Sequence, residues 1–455
     1  MLGLCTDLYE LRMAASYLRR GMVGPATFSL FVRHLPAQRG FLVAAGLAEA
    51  LEFLDQFTID DDELDYLIEA VGLDHRARSL LRGVRFSGDV WAVPEGRVVF
   101  ADEPLLEVTA PIAEAQLVET ALLNVITFAT TVASKAARCR LAAAEAELID
   151  FSFRRTQGIS AGMTVARASA IAGFDTTSNV AAARRYHLRP AGTMAHSFVE
   201  AFADERAAFR AFAHDYPQAT FLLVDTYDTL TGVRRAIEVA EQLELDRLGG
   251  IRLDSGDLGE LAIAARRLLD QAGRASARIV ASGGLDEYSI ADLVARRAPI
   301  DAYGIGTRMG VSADAPSLDS AYKLVCFADR PVMKLSEGKL TQPGAKQVYR
   351  DPVGTEPDLL ALREEPAPPG WEPLLRPVMR AGRRLASADP AGEIQLARQR
   401  FESDLTRLND PVRRLVDPRP APVRHSEALG VLRGRLIDEL TGEPAGRTAL
   451  GGRCG

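Results

Sequence analysis

The chain has 455 residues, 47% hydrophobic and 25% charged, a globular balance with length for two or three domains. Its net charge of -7, from 54 basic and 61 acidic residues, argues against a dedicated nucleic-acid binder but leaves room for a locally basic pocket. Cys5, Cys139, Cys326 and Cys454 show no metal spacing, the first residues carry no signal-peptide pattern, and the most apolar segment, 117–133, is interrupted by Glu119 and Asn124. The expectation is reduced thiols, a cytoplasmic location and no membrane span.

In chain order, residues 1–128 mix short strands and helices. Helices are expected over 47–57 and 61–71, strands over 89–100 and 104–110, and a long Ala- and Leu-rich helix from Pro111 through Leu141. Over 129–325 short apolar runs alternate with helical stretches. The runs are 148–153, a short piece before Thr177, 220–226, 249–255, 277–284 and 300–307; the helices fall at 197–214, 229–243, 257–272 and 286–298. This alternation predicts parallel strands with crossover helices, and runs such as Phe221-Leu-Leu-Val224 predict strands buried on both faces. Six or so units suit an α/β barrel, with a doubly wound sheet as the rival. From 326 to 455 the rhythm stops. Strands and turns are expected over 330–350, an exposed linker over 356–371, and helices over 400–442, with the basic runs 380–384 and 398–400 read as solvated helix faces.

Each apolar run ends in a polar cluster, and in a parallel barrel those ends converge on one mouth. Ser282-Gly283-Gly284 and Gly304-Ile305-Gly306-Thr307 place small residues between a strand and a helix start, where free N–H groups can cradle phosphate; the bland reading is tight turns. Asp254 and Asp257 flank a glycine turn and suit Mg²⁺ or sugar hydroxyls; the bland reading is helix capping by Ser255 with Asp257 in the first turn, and both can hold at once. Arg154-Arg155 suits a pyrophosphate and a carboxylate, or salt bridges to nearby acids. His196, at a strand end, is a nucleophile candidate toward a phosphoryl group, or a hydrogen-bonded structural histidine.

Taken together, these residues resemble nicotinate phosphoribosyltransferase from Thr6 to about Tyr349. The resemblance is carried by Thr6-Asp-Leu-Tyr-Glu10, Phe31-Val-Arg-His-Leu-Pro36, Phe41-Leu-Val-Ala-Ala-Gly46, Phe151-Ser-Phe-Arg-Arg155, Thr177-Ser-Asn-Val180, Gly192-Thr-Met-Ala-His-Ser197, Asp254-Ser-Gly-Asp257, Ser282-Gly-Gly284, Gly304-Ile-Gly-Thr307, Lys334-Leu-Ser336 and Pro343 through Arg350. It implies an irregular α/β barrel of the type II phosphoribosyltransferase kind, with a second α+β domain built from the N-terminal and part of the C-terminal region. It implies a homodimer in which Tyr9 reaches the partner's site, and ATP hydrolysis coupled to transfer through a phosphohistidine at His196. The implied substrates are nicotinate, phosphoribosyl pyrophosphate and ATP, with Mg²⁺.

On this resemblance Arg154, Lys334 and Mg²⁺ neutralise pyrophosphate, and Asp254 and Asp257 hold ribose hydroxyls or the metal. Ser282, Gly283, Gly284, Gly304, Gly306 and Thr307 hold the 5′-phosphate. Tyr9 and Phe153 sandwich the pyridine ring, Arg155 takes its carboxylate, and Ser178 adds a hydrogen bond. Ser152 departs from a frequent Gly in the family. Two alternatives stay open. A nicotinamide enzyme would carry Asp where Ser178 stands and lack the second arginine of the pair. A non-catalytic phosphosugar-binding protein on the same fold would need neither His196 nor Asp254.

Overall fold

The computed structural model describes residues 2–442 except 246–247, 337–339 and 386–388; Cys454 lies outside the described residues. Seven parallel strands form one sheet in the spatial order Arg189–Pro190, Thr176–Thr177, Glu147–Asp150, Ala302–Ile305, Arg278–Ala281, Gly250–Leu253, Phe221–Leu223. Helices such as Ile159–Ile171, Thr229–Gln242, Leu258–Gln271 and Glu287–Ala295 connect successive strands and cover the outer face. The two strands at one edge have only two residues each, which makes the barrel irregular. No ladder joins the outermost strands; side-chain bonds from Arg252 to Thr193 and between His196 and Thr226 span that seam at the mouth.

Strand alternation sets what faces inward. Leu148, Ile251, Leu253, Ile279, Ala281 and Tyr303 enter the large core under the helices. Ile149, Val280 and Ala302 form a separate small cluster with Phe151, Ala191 and Phe221, which fills the inner side. Arg252 pairs in register with Val280, and Val280 with Ala302, so the arginine lies on that inner row.

The second domain is a seven-stranded antiparallel sheet in which Pro25–Val32 pairs with both Ser320–Phe327 and the central strand Pro104–Pro111. Its far edge is Arg376–Arg380 and Arg383–Arg384. The basic run 380–384 is therefore a hairpin and not a helix face. Ala381 and Gly382 turn with positive φ, and Arg380 pairs with Asp89 at 2.6 Å. Arg398 does lie on a helix, Pro390–Arg407, but is tied to Asp175 at 2.9 Å. The expected linker 356–371 also needs correction. Leu359–Leu362 pairs with Lys346–Arg350 and Arg424–His425, and Leu360 and Ala361 are buried, because an apolar run sits inside the Pro- and Glu-rich flanks. The expected helix 197–214 breaks before Asp204, whose side chain caps Glu205–Asp215. The long helix after Pro111 breaks at Val118.

Where this third sheet meets the barrel side, Arg350 is buried between Asp358 and Asp404. Glu103 lies fully buried nearby, one oxygen accepting from the Phe100 N–H at 2.8 Å and its carboxyl sharing a hydrogen bond with that of Asp358. Burial, then the adjoining Asp358 charge, holds its carboxyl well above the usual carboxylate range. A group that keeps its proton on folding and loses it on unfolding costs stability as pH rises through that window. Glu103→Gln mimics the protonated form. Urea unfolding at pH 5 and pH 8 should therefore show wild type losing stability relative to the variant at the higher pH; parallel behaviour would mean that Glu103 is ionised in the fold.

Candidate active site at the carboxyl ends of the parallel strands

The mouth is built by the residues that follow each strand. After Gly250–Leu253 comes Asp254, whose Oδ1 accepts from the Arg252 guanidinium at 2.6 Å and from the Ser282 hydroxyl. Arg252 also donates to Ser282 Oγ at 2.8 Å and lies over the Phe151 ring at 5.3 Å. His196 opens the short helix His196–Glu200; its Nε2 faces Asp254 Oδ2 at 3.9 Å and its Nδ1 faces Thr226 Oγ1 at 3.2 Å. Burial would raise the Asp254 carboxyl, but the bonds from Ser282 and Arg252 and the nearby cationic charge hold it below its ordinary value. Asp254 is thus a carboxylate throughout the neutral range.

Asp225 supports this group from behind. Its Oδ2 accepts from the Asp254 N–H at 3.0 Å and from Ser255 Oγ at 2.6 Å, while its Oδ1 is buried with no hydrogen-bond partner among the described residues. Asp257 is placed differently. Its Oδ1 caps the helix Leu258–Gln271 and accepts from Arg296 at 2.8 Å on the surface. The expected cap is Ser255, with Asp257 in the first turn; Asp257 is the cap instead, with a second oxygen to spare, and Ser255 is turned to Asp225.

At Gly283 and Gly304 nothing larger fits. A Cβ at Gly283, where φ is +97°, would lie 1.9 Å from the Asp254 carbonyl oxygen; one at Gly304 would lie 2.4 Å from the Phe151 ring and 3.3 Å from Ser282. Gly283, Gly284 and Thr307 are exposed at the mouth, with Ser282 buried beneath them. Gly306 precedes the one-turn helix Thr307–Gly310, 3.4 Å from the Phe151 carbonyl by the same measure. The neighbouring Asp286 caps Glu287–Ala295 and pairs with Arg308.

The turn after Glu147–Asp150 carries the arginine pair. Asp150 is buried, and its carboxylate accepts from the Ser152 N–H at 2.9 Å, from the Ser152 hydroxyl and from Thr177 Oγ1 at 2.7 Å. Thr177 in turn accepts from the Asn179 N–H, and Asn179 caps Val180–Tyr186 and donates to the Gly162 carbonyl at 3.1 Å. This web joins the 3-10 turn Phe153–Arg155 to Ser178, whose own N–H reaches the Asp150 carbonyl at 2.8 Å. Ser152 thus has a partner that a glycine would lack. Arg154 and Arg155 are exposed, and neither forms an ion pair among the described residues. Phe153 packs beside Gly162, where a Cβ would sit 2.3 Å from its ring.

Contacts therefore run from His196 to Asp254, Ser282, Gly304, Phe151 and Gly306, and the arginine turn and Ser178 adjoin Asp150 on the neighbouring strand. Tyr9 and Lys334 lie on the antiparallel domain instead. Tyr9 is 47% exposed and lines a groove with Thr120, Asn124, Thr127 and Ser320. The Lys334 side chain is exposed, and its backbone N–H donates to Thr341 Oγ1. Sequence reasoning placed Asp225, Thr226 and Arg252 among the polar clusters at the strand ends but assigned none of the three a role. The available signal for Arg252 was a charged residue between Ile251 and Leu253 in a strand otherwise buried on both faces.

Such a mouth offers an ionised acid, an imidazole, two unpaired guanidiniums and glycine-lined turns, the equipment for displacing a phosphorylated leaving group. Residues 4–127 match the family model for the nicotinate phosphoribosyltransferase N-terminal domain, and residues 146–331 match the nicotinate phosphoribosyltransferase family model. A nicotinate phosphoribosyltransferase of Mycobacterium tuberculosis is 48% identical over 414 residues, covering 88% of this chain and 87% of that one. One of Bacillus subtilis is 42% identical over 378 residues, covering 80% and 77%. The crystal structure of human nicotinic acid phosphoribosyltransferase superposes with a TM-score of 0.84 at 31% identity, covering 95% of this chain and 99% of that one.

Proposed function

The chain belongs to the nicotinate phosphoribosyltransferase family of NAD biosynthesis, and from that premise we propose that it joins nicotinate to phosphoribosyl pyrophosphate at the mouth described above, with ATP hydrolysis coupled through His196. The observation that carries the reading is the single web of Arg252, Asp254, Ser282 and His196 set between glycine turns and a free arginine pair.

The pyridine nitrogen is already nucleophilic, so no general base is required. The demanding event is loss of pyrophosphate from the anomeric carbon, which leaves positive charge on the ribose. Asp254, held ionised, supports that charge and the ribose hydroxyls, while the turns 282–284 and 304–307 hold the 5′-phosphate through backbone N–H groups. Arg154 takes pyrophosphate charge, Arg155 the nicotinate carboxylate, and Ser178 a further hydrogen bond. Phe153 offers one aromatic face to the ring, and Tyr9 of a second copy of this chain would supply the other, with Lys334 near pyrophosphate.

Among the described residues no three acids, histidines or cysteines cluster as a protein-only metal cage. The remaining hard oxygens, Asp254 Oδ2 and the unpartnered Asp225 Oδ1, fit a Mg²⁺ that arrives with its phosphates and keeps several waters; Asp257, its Oδ1 engaged by Arg296 and its helix, has Oδ2 alone to offer. Bound there, Mg²⁺ would neutralise pyrophosphate charge.

In the ATP step the γ-phosphoryl group moves to a ring nitrogen of His196, ADP departs, and later hydrolysis returns free histidine and phosphate. His196→Ala should lower ATP hydrolysis by about 10²-fold or more while slow transfer persists; retained hydrolysis would remove the histidine from that role. The reading as a whole is tested by product analysis with nicotinate, phosphoribosyl pyrophosphate, Mg²⁺ and ATP, each omitted in turn. Nicotinate mononucleotide and pyrophosphate are expected, and preference for nicotinamide would overturn it.

A further inference from the structure

Away from the mouth, a cavity of about 520 Å³ lies between the helix Leu47–Gln56, the strand Arg376–Arg380 and the helix Pro390–Arg407. That volume falls in the range of sites for small organic ligands. Its floor is apolar, with Leu47, Leu51, Pro94 and Val378, and Leu385 and Leu396 remain 53% and 52% exposed at its rim.

The charged part of the lining holds three arginines, Arg376, Arg384 and Arg400, and three acids, Glu95, Asp389 and Glu393. Arg384 and Arg400 are half-buried, and neither forms an ion pair among the described residues; Arg384 Nε is shielded from water without a hydrogen-bond partner. Arg400 reaches only the Glu95 carbonyl, at 3.3 Å. Glu393 lies within electrostatic reach of both Arg384 and Arg400, while the other acids in the wall are engaged elsewhere. The Glu95 carboxylate takes two bonds from Arg167 and the N–H groups of Gly46 and Leu47. Asp389 caps the helix Pro390–Arg407. Burial pushes the Glu393 carboxyl up, and its closest cation at 4.0 Å is Arg167.

We propose that this cavity binds a small amphipathic anion, an organic acid whose apolar body lies on Leu51 and Leu396 and whose acidic head meets Arg384 and Arg400. A guanidinium partly withdrawn from water is stabilised by a fixed anion, and the exposed leucines by an apolar body. The site stands behind the Glu95–Arg167 pair, and Arg167 belongs to the helix Ile159–Ile171 that begins just after the arginine turn. A ligand here is therefore one ion pair removed from the element that leads into the mouth.

The test uses the full chain with two dyes of the same body, 8-anilinonaphthalene-1-sulfonate and the uncharged N-phenyl-1-naphthylamine, titrated by fluorescence with phosphoribosyl pyrophosphate present at saturation. Saturable one-to-one binding of the sulfonate is expected. Arg384→Gln/Arg400→Gln should weaken the sulfonate about tenfold or more and the neutral dye less than about twofold. Leu396→Trp, which narrows the cavity, should weaken both and decides the matter if circular dichroism finds the arginine variant unfolded. Unchanged sulfonate affinity in the folded variants, equal loss of both dyes in the arginine variant, or no saturable sulfonate binding while phosphoribosyl pyrophosphate fills the mouth would each overturn the proposal.

Discussion

Asp254→Asn is expected to lower kcat by about 10³-fold, roughly 4 kcal/mol of transition-state stabilisation, with nicotinate binding changed only a few-fold. The substitution keeps the shape of the side chain and removes its charge. Arg252 would then sit half-buried without its carboxylate, Ser282 would lose a charged acceptor, and His196 would lose the acid opposite Nε2. Above all, positive charge developing on the ribose would face a neutral amide. Quench-flow at saturating substrates, beside equilibrium binding of nicotinate, separates the chemical step from affinity. An unchanged kcat would mean that Asp254 only organises Arg252.

Arg155→Gln should produce the second large effect, on a different parameter. Its guanidinium is exposed and unpaired among the described residues, so it is available to a carboxylate without breaking an existing bond. Losing a charge-assisted pair to a bound carboxylate costs about 3–4 kcal/mol, a fall of roughly 10²–10³ in kcat/KM for nicotinate. The KM for phosphoribosyl pyrophosphate should stay within about threefold, and the preference over nicotinamide should collapse. The measurement is the pair of kcat/KM values for the two pyridines. If pyrophosphate-side binding suffers instead, the roles of Arg154 and Arg155 are exchanged.

Much of the fold could be read before any coordinate. Phe221–Leu223, Gly250–Leu253, Arg278–Ala281 and Ala302–Ile305 each fall inside an apolar run ended by a small or acidic residue. Those signals are local, because burial on two faces and the demands of a turn act on neighbours in sequence. Thr176–Thr177 and Arg189–Pro190 were harder, since two residues offer no periodicity. Leu359–Leu362 was obscured by its Pro- and Glu-rich flanks, and the 380–384 hairpin by its charge. Both strands are stabilised by partners distant in the chain, which local composition does not register.

The same division runs through the site. By itself the sequence determined which segments reach the mouth and which chemical groups they bring: His196, Asp254, the arginine pair and the glycine turns. Only the tertiary structure decided which of those groups meet. Alternation turned Arg252 inward to Asp254 and Ser282, a surface arginine drew Asp257 away to cap its helix, and buried Asp150 joined Ser152, Thr177 and Asn179 into one support. The physical reason is range. Backbone preference and burial are set within a few residues, whereas hydrogen bonds and ion pairs among side chains exist only after the strands have been brought side by side.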